Sequence, residues 1–393
     1  IIIRAKLIAL EVLTMISILS WNQLLRVVLK DNIMKIYQVG GSIRDKLLGL
    51  KEKEKDWVVV GSSSEELISK GYKQVGKRFP VFLHPKTNEE YALARTEKKT
   101  STGHKGFEFD INKNVTLEDD LKRRDLTINA IAMDSNGDLI DPFGGVEDIN
   151  KKIIKHVSDA FDEDPLRVFR VARFYSKLKD LGFKIDNSTV LVMNNIVKSG
   201  EIESLSKERL WNELSISFTY SNPSAFFEVL GVSGFFEKYF PGQINEELIN
   251  RKIEFFKKTG IREDDIMVLL DFPIDFIDMF GFPKKLTESY FIFRDCVTRF
   301  LDLDLSNSEI IYNFITSIDS IRRPERLENF IRQIDAFTNF HSMDKDLQIS
   351  IFLKIYGLLL DKDSKPKIKD GIHAEEAKIA AKLHYIELIK HVL

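Results

Sequence analysis

Met34-Lys-Ile-Tyr-Gln-Val-Gly-Gly-Ser-Ile-Arg-Asp-Lys-Leu-Leu-Gly-Leu-Lys-Glu-Lys-Glu-Lys-Asp-Trp-Val-Val-Val60 compresses a strand, a double-glycine turn, a short helix and a second strand with carboxylates at its start. Ile36, Tyr37 and Val39 favour extended chain, and Gly40-Gly41 ends that strand and lets backbone come close to a ligand. Ser42 is placed to cap the helix that follows, whose first N–H groups suit a triphosphate, and Arg44, one turn in, adds a fixed charge. The second strand starts near Lys55, and its unbroken run Trp57-Val58-Val59-Val60 is what burial on both faces selects. Glu54 and Asp56, two residues apart on extended chain, project from one face, as a pair of carboxylates must to share Mg²⁺, while Lys55 points the other way.

Glu52, Glu54 and Asp56 also alternate with Lys51, Lys53 and Lys55, a pattern equally at home in a solvated turn. The glycine turn before them and the apolar strand after them argue for a metal and phosphate site. The turn alone carries little, and it is not the GxGxxG dinucleotide pattern.

With 393 residues the chain exceeds one ordinary core, so two to four domains are expected. A composition of 44% hydrophobic and 30% charged residues is that of soluble globular proteins. The single cysteine, Cys296, excludes an internal disulfide framework, fits a reducing compartment, here the cytoplasm, and reads as a small buried hydrophobe. A net charge of −2 disfavours a non-specific nucleic-acid binder but not a specific one, because phosphate contacts need only a local basic surface. In residues 1–33 the apolar run Leu7 to Trp21 is short and interrupted by Glu11, so it fits neither a signal peptide nor a spanning helix of about 20 residues. The expectation is an extension upstream of a start at Met34, with an interfacial helix as the alternative. No membrane span is expected.

From Met34 to about His156 short strands mix with helices. Residues 90–95 read as a further strand in which Glu90 is either a third carboxylate at the metals or an edge-strand charge. Thr96 to Asp110 is polar and without period, and is expected to be a mobile loop. The charged segment Glu118 to Asp125 is compatible with an exposed helix, and Asp141-Pro-Phe-Gly-Gly145 is turn chemistry. Beyond it helical periodicity dominates, over 165–179, 187–198, 207–218 and 223–240, then to the C-terminus with breaks near Pro273, Pro283, Pro324 and Pro366. The fold class expected is therefore α+β, a small mixed-sheet head followed by an all-helical remainder.

Glu163-Asp-Pro-Leu-Arg-Val-Phe-Arg-Val-Ala-Arg-Phe174 is the second stretch with chemical content. Its plain reading makes Asp164 an N-cap ahead of Pro165, and Arg167, Arg170 and Arg173 a solvated stripe. Its functional reading sets an acceptor, Asp164, and a donor, Arg167, one turn apart and facing one ligand. Cytosine and adenine both offer an exocyclic amino donor beside an unprotonated ring nitrogen; guanine and uracil offer the reverse. Base-edge pairs of this kind discriminate by about 1–3 kcal/mol. Arg170 and Arg173 would then face the triphosphate.

Here the sequence resembles the bacterial class II tRNA nucleotidyltransferases, the CCA-adding enzymes of the polymerase β superfamily. The resemblance rests on Val-Gly-Gly-Ser-Ile-Arg-Asp (39–45), Lys-Asp-Trp-Val-Val-Val-Gly (55–61), Arg-Arg-Asp-Leu-Thr-Ile-Asn-Ala (123–130), Glu-Asp-Pro-Leu-Arg (163–167) and Glu-Arg-Leu-Trp-Asn-Glu (208–213). It implies a catalytic head over 34–157, a neck over 158–225 and a tRNA-binding body and tail over 226–393. It further implies a metal site at Glu54 and Asp56, nucleotide contacts at Gly41, Arg44, Arg124, Asp164, Arg167, Arg170 and Arg173, and CTP, ATP and tRNA as ligands, with Mg²⁺ as cofactor and no protein partner. Two departures stand out. The family has Asp-x-Asp where this chain has Glu54-Lys55-Asp56, and the His-Asp metal dyad often found in the tail is here Leu270-Asp271, so that a structural tail is expected. The rival activities are a poly(A) polymerase, since Gly76-Lys-Arg-Phe79 is similar to a signature of that branch, a catalytically weakened RNA-binding protein, and a metal-dependent phosphohydrolase.

Overall fold

Trp57-Val58-Val59-Val60 runs through the middle of a seven-stranded sheet. The structure, a computed structural model, describes residues 34–51, 55–75, 81–99, 107–110, 113–367 and 373–393. Glu54, the Gly76–Phe79 stretch and residues 1–33 lie outside the described residues.

The strands are β1 (Lys35–Val39), β2 (Asp56–Val60), β3 (Lys73–Val75), β4 (Val81–Leu83), β5 (Glu90–Leu93), β6 (Thr96–Lys99), β7 (Phe107–Asp110), β8 (Ala132–Met133), β9 (Leu139–Ile140), and a separate short parallel pair, β10 (Ile153–Ile154) and β11 (Lys184–Ile185). The large sheet has the order β3-β4-β5-β2-β1-β8-β9, with β2 antiparallel to β1 and parallel to β5, which makes it mixed. The β2 valines divide between two cores as period 2 requires. Val58 packs with Val39, Leu117 and Leu121 on one face, and Val59 packs with Leu67, Phe82 and Leu93 on the other. Four short helices accompany the sheet: α1 (Gly41–Leu47), α2 (Ser64–Ser69), α3 (Leu117–Lys122) and α4 (Gly145–Lys151). Two longer ones follow, α5 (Leu166–Leu178) and α6 (Asn187–Ser199). The fold is α+β.

Three expectations need correction. Thr96 to Asp110 is not a plain loop: β6 and β7 pair antiparallel from Thr96 opposite Asp110 to Lys99 opposite Phe107, a hairpin whose strand-forming threonine and phenylalanines were hidden by the surrounding charge and glycine. The segment 117–122 is not an exposed charged helix, because Asp120 is fully buried. The periodic stretch 223–240 is two helices, Ser224–Val232 and Phe235–Tyr239, separated at Gly234.

The contacts divide the chain into two units. One extends to Leu205 and includes Val232–Gly234; the other comprises Ser206–Gly231 and Phe235–Leu393. The second is helical throughout its described residues. Prolines there start helices rather than end them: Pro273 and Pro283 precede Ile274–Met279 and Lys284–Leu301, and Pro324 opens Pro324–Phe340, because a missing N–H costs nothing in a first turn. Its core is rich in phenylalanine, with Phe272, Phe276 and Phe280 stacked at centroid spacings of 4.3 Å. Among the described residues no helix is long and apolar enough to cross a membrane.

Candidate active site

Gly40 has φ 79° and ψ −141°, a combination open essentially to glycine alone. A Cβ there would stand 3.0 Å from Arg124 Nη1 and 4.0 Å from Asp56 Oδ2. The glycine turn, the first residue of β2 and an arginine from beyond α3 therefore converge on one point. Helix α1 begins at Gly41, two residues earlier than a Ser42 cap predicts, so Ser42 lies inside it and does not cap it. The Ser42 hydroxyl instead donates to Val39 O and accepts from Gln38 Nε2. No side chain caps the first turn of α1.

Asp56 is directly opposite Glu90 in the parallel pairing of β2 with β5. Neighbouring strands lie about 4.8 Å apart, so the two side chains leave the same face of the sheet side by side. That face is the one Val58 shares with α3, and both carboxylates are exposed. Glu90 is thus beside the proposed metal position rather than on a sheet edge, since β5 has β4 on its other side. Oxygen donors of this kind suit a hard cation such as Mg²⁺. Among the described residues no cluster of three or more metal-ligating side chains occurs; Asp56 and Glu90 make two, and Glu54 lies outside the described residues.

The arginines are held by buried acids. Asp120 receives Arg123 Nη2 at 2.9 Å and Arg124 Nη2 at 3.1 Å. Burial alone would raise its pKa; the two guanidinium groups override this and lower it. Asp125 likewise is buried, yet held well below the usual carboxylate range by Arg170, Asn129 and Arg167. It takes Arg170 Nε at 2.8 Å on one oxygen and Asn129 Nδ2 at 3.0 Å on the other. Asn129 in turn accepts from Arg44 Nη1 at 2.5 Å, and Arg44 pairs with Asp45 at 2.8 Å, which also takes Lys177 Nζ at 2.6 Å. Arg44 is 3% exposed, so its charge is committed inside this network. The 123–130 segment is clamped from behind by Gly145, where any Cβ would run into the Thr127 carbonyl, and by the Thr127 hydroxyl donating to Asp148.

One residue that sequence reasoning missed joins these parts. The ring of Phe174 has Arg173 at 4.2 Å, Arg44 at 4.9 Å and Arg170 at 5.5 Å from its centroid. Phe174 stands one helical turn after Arg170, a spacing visible in the sequence, but nothing there reveals Arg44 on the third side. Asp120, Asp125, Asn129 and Lys177 were also missed as positioning residues. Asp125 and Asn129 stand four apart within the Arg-Arg-Asp-Leu-Thr-Ile-Asn-Ala segment, which was the available signal.

Asp164 and Arg167 stand at the start of α5. Asp164 Oδ1 accepts from Leu166 N at 3.1 Å, the capping bond of the plain reading. Arg167, 7% exposed, donates from Nη1 to Ala160 O at 2.6 Å and from Nη2 to Arg123 O. The second bond links it to the segment that carries Arg124.

Comparison with known proteins gives two family matches and a shared fold. The family model described as the poly A polymerase head domain matches residues 36–155, which span Gly40, Asp56, Glu90 and Arg124. Residues 36–155 thus match the poly A polymerase head family of nucleotidyltransferases. A second model, described as a probable RNA and SrmB-binding site of polymerase A, matches residues 182–246 of this chain. Its fold is shared by solved structures at low identity. A CCA-adding enzyme in complex with ATP aligns at 21% identity over 95% of this chain and 90% of that one, with a TM-score of 0.66. The Thermotoga maritima CCA-adding enzyme complexed with tRNA aligns at 20% over 88% and 90%, TM-score 0.56. The Bacillus stearothermophilus enzyme in complex with CTP aligns at 21% over 92% and 90%, TM-score 0.58.

Proposed function

We propose that this nucleotidyltransferase adds C, C and A to the 3′ end of tRNA from CTP and ATP, without a nucleic-acid template and with release of pyrophosphate. The observation that carries the reading is the convergence of Gly40, Asp56 and Arg124, with Glu90 directly beside Asp56. Glu54 and Asp56, with Glu90 beside Asp56, would hold Mg²⁺, which would supply charge neutralisation at the α-phosphate and acidify the attacking 3′ hydroxyl. The uncapped first turn of α1 at Gly41, together with Arg124, receives the triphosphate, for which preorganised donors outside bulk water are worth most. Arg44, Arg170 and Arg173, gathered around Phe174, hold the positive field behind it.

Base choice belongs to Asp164 and Arg167 in this reading. Accepting a base edge exchanges the Leu166 bond of Asp164 and the carbonyl bonds of Arg167 for the amino group and ring nitrogen of cytosine or adenine. Nucleotide binding and release of the Arg123 carbonyl are then one event. The division proposed along the chain is a head over 34–157, a neck over 158–225, and a body and tail over 226–393 that hold tRNA by backbone and shape.

The test is incorporation of radiolabelled CTP and ATP on tRNAs ending before C, CC and CCA. Two C additions followed by one A support the reading. Long A tracts without CTP use would instead support the poly(A) polymerase reading, which the head-domain match keeps in view.

A further inference from the structure

Helix α5 carries Arg167, Arg170, Phe174 and Lys177 on one face, because spacings of three and four residues bring side chains into line. Each of the four meets a residue from earlier in the chain. Arg167 donates to the Arg123 carbonyl, Arg170 to Asp125, and the Phe174 ring has the Arg44 guanidinium 4.9 Å from its centroid. Lys177, last on the face, donates from Nζ to Asp45 Oδ2 at 2.6 Å, across 132 positions of sequence.

This last pair is enclosed, with the side chains of Lys177 and Asp45 14% and 4% exposed. Asp45 is shared: its Oδ1 takes Arg44 Nε at 3.0 Å and Nη2 at 2.8 Å, while Oδ2 takes Lys177. Charge-assisted bonds of this kind are the stronger ones, and enclosure spares them the screening that weakens surface pairs. Asp45 stands four residues beyond Gly41 on α1, so the pair ties α5 to the helix that leaves the glycine turn.

The function proposed above gives nucleotide roles to the arginines of this face and none to Lys177 or Asp45. To reach a base, Arg167 leaves the Ala160 and Arg123 carbonyls. The bonds at the start of α5 therefore change as a nucleotide enters, while the Lys177–Asp45 bond has no part in the exchange. Lys177 follows Arg167 by ten residues, about 15 Å of helix. A bond that stays closed at that distance limits how far Asp164 and Arg167 shift relative to the glycine turn, and a misplacement of about 1 Å costs up to about a hundredfold.

We propose that the Lys177–Asp45 pair determines base specificity without touching the base, by fixing the register of α5 so that Asp164 and Arg167 meet cytosine and adenine and reject uracil and guanine. The inference rests on the base-reading role proposed for those two residues and adds the contact that holds them in place.

The experiment is calorimetric titration of the full chain with CTP, UTP, ATP and GTP in Mg²⁺ and without tRNA, so that binding is read with no transfer following. The parent chain is expected to prefer CTP over UTP and ATP over GTP. Lys177→Met keeps the aliphatic stem and leaves Asp45 paired with Arg44; it is expected to lower both preferences by at least about fivefold, the lower end of base-edge discrimination. Lys177→Arg, which keeps the charge, is expected to retain them. A role in folding alone would weaken all four nucleotides alike and leave their ratios unchanged. Asp45→Asn, which keeps the volume, carries the test should Lys177→Met fail to fold, and is expected to lower the same ratios. Parent ratios in the Met or Asn variant, or a loss in Lys177→Arg as large as in Lys177→Met, would overturn the proposal. A parent chain that binds all four nucleotides equally would overturn the base-reading role itself, and this inference with it.

Discussion

Gly40→Ala tests the point on which the candidate site converges. At φ 79° and ψ −141° an alanine pays a conformational penalty of about 1–3 kcal/mol. Its Cβ also meets Arg124 Nη1 at 3.0 Å, and that guanidinium cannot simply swing aside while Nη2 is held by buried Asp120 at 3.1 Å. Crowding of this kind adds about 1 kcal/mol at the lower end of overpacking costs. The expected total is about 2–4 kcal/mol, read as a lower urea midpoint at unchanged slope. The two parts separate in a double-mutant cycle: Arg124→Ala removes the crowded atom, so Gly40→Ala should cost about 1 kcal/mol less in that background. CTP incorporation kinetics on the same variants should show a raised KM for Gly40→Ala, because Arg124 has been pushed off its position. An identical cost of Gly40→Ala in both backgrounds would refute the contact, and no cost in either would refute the backbone conformation itself.

Phe174→Leu is expected to raise the KM for CTP and ATP alike, by roughly tenfold if about 1.4 kcal/mol of the three guanidinium–ring contacts is lost, while C-versus-A choice and kcat stay near the parent values; Phe174→Tyr should retain the parent KM. Asp125→Asn removes the charge partner of Arg170, and because the folded carboxyl is held below its ordinary value of 3.8, the stability it contributes is present above that pH and fades as pH falls below it. Urea midpoints of parent and Asp125→Asn should therefore differ most near neutrality and converge in acid; a gap that persists unchanged to pH 3 counts against the assignment. Glu54→Asp is expected to keep or raise turnover and Glu54→Ala to abolish it in the radiolabelled CTP assay, and an active alanine variant would remove Glu54 from the site.

Much of the fold was legible in local pattern. Trp57-Val58-Val59-Val60 announced a strand buried on both faces because no polar residue interrupts it, and its two cores are on opposite sides of β2. The helix expected over 165–179 was found at Leu166–Leu178, since Pro165 and a periodic apolar stripe mark its start and face. The hairpin β6–β7 was missed because charge and glycine around it outweigh the few strand formers that pair across it. Ser42 was misassigned for a related reason: which residue follows a glycine turn as N-cap depends on the torsion angles of Gly40, and composition does not report torsion angles.

The amino-acid sequence by itself determined the chemistry available, because residue types and short spacings are local properties: carboxylates two apart on a strand, a double glycine, arginines on a helical stripe. Only the tertiary structure decided which of these groups meet. Glu90 came to stand opposite Asp56 through a parallel pairing, Arg124 came against Gly40, and Arg44 met Asn129 and Phe174, residues 85 or more positions away. Such encounters are set by how a sheet and helices pack around shared cores, and a side chain's neighbours across that packing leave no mark on its own stretch of sequence.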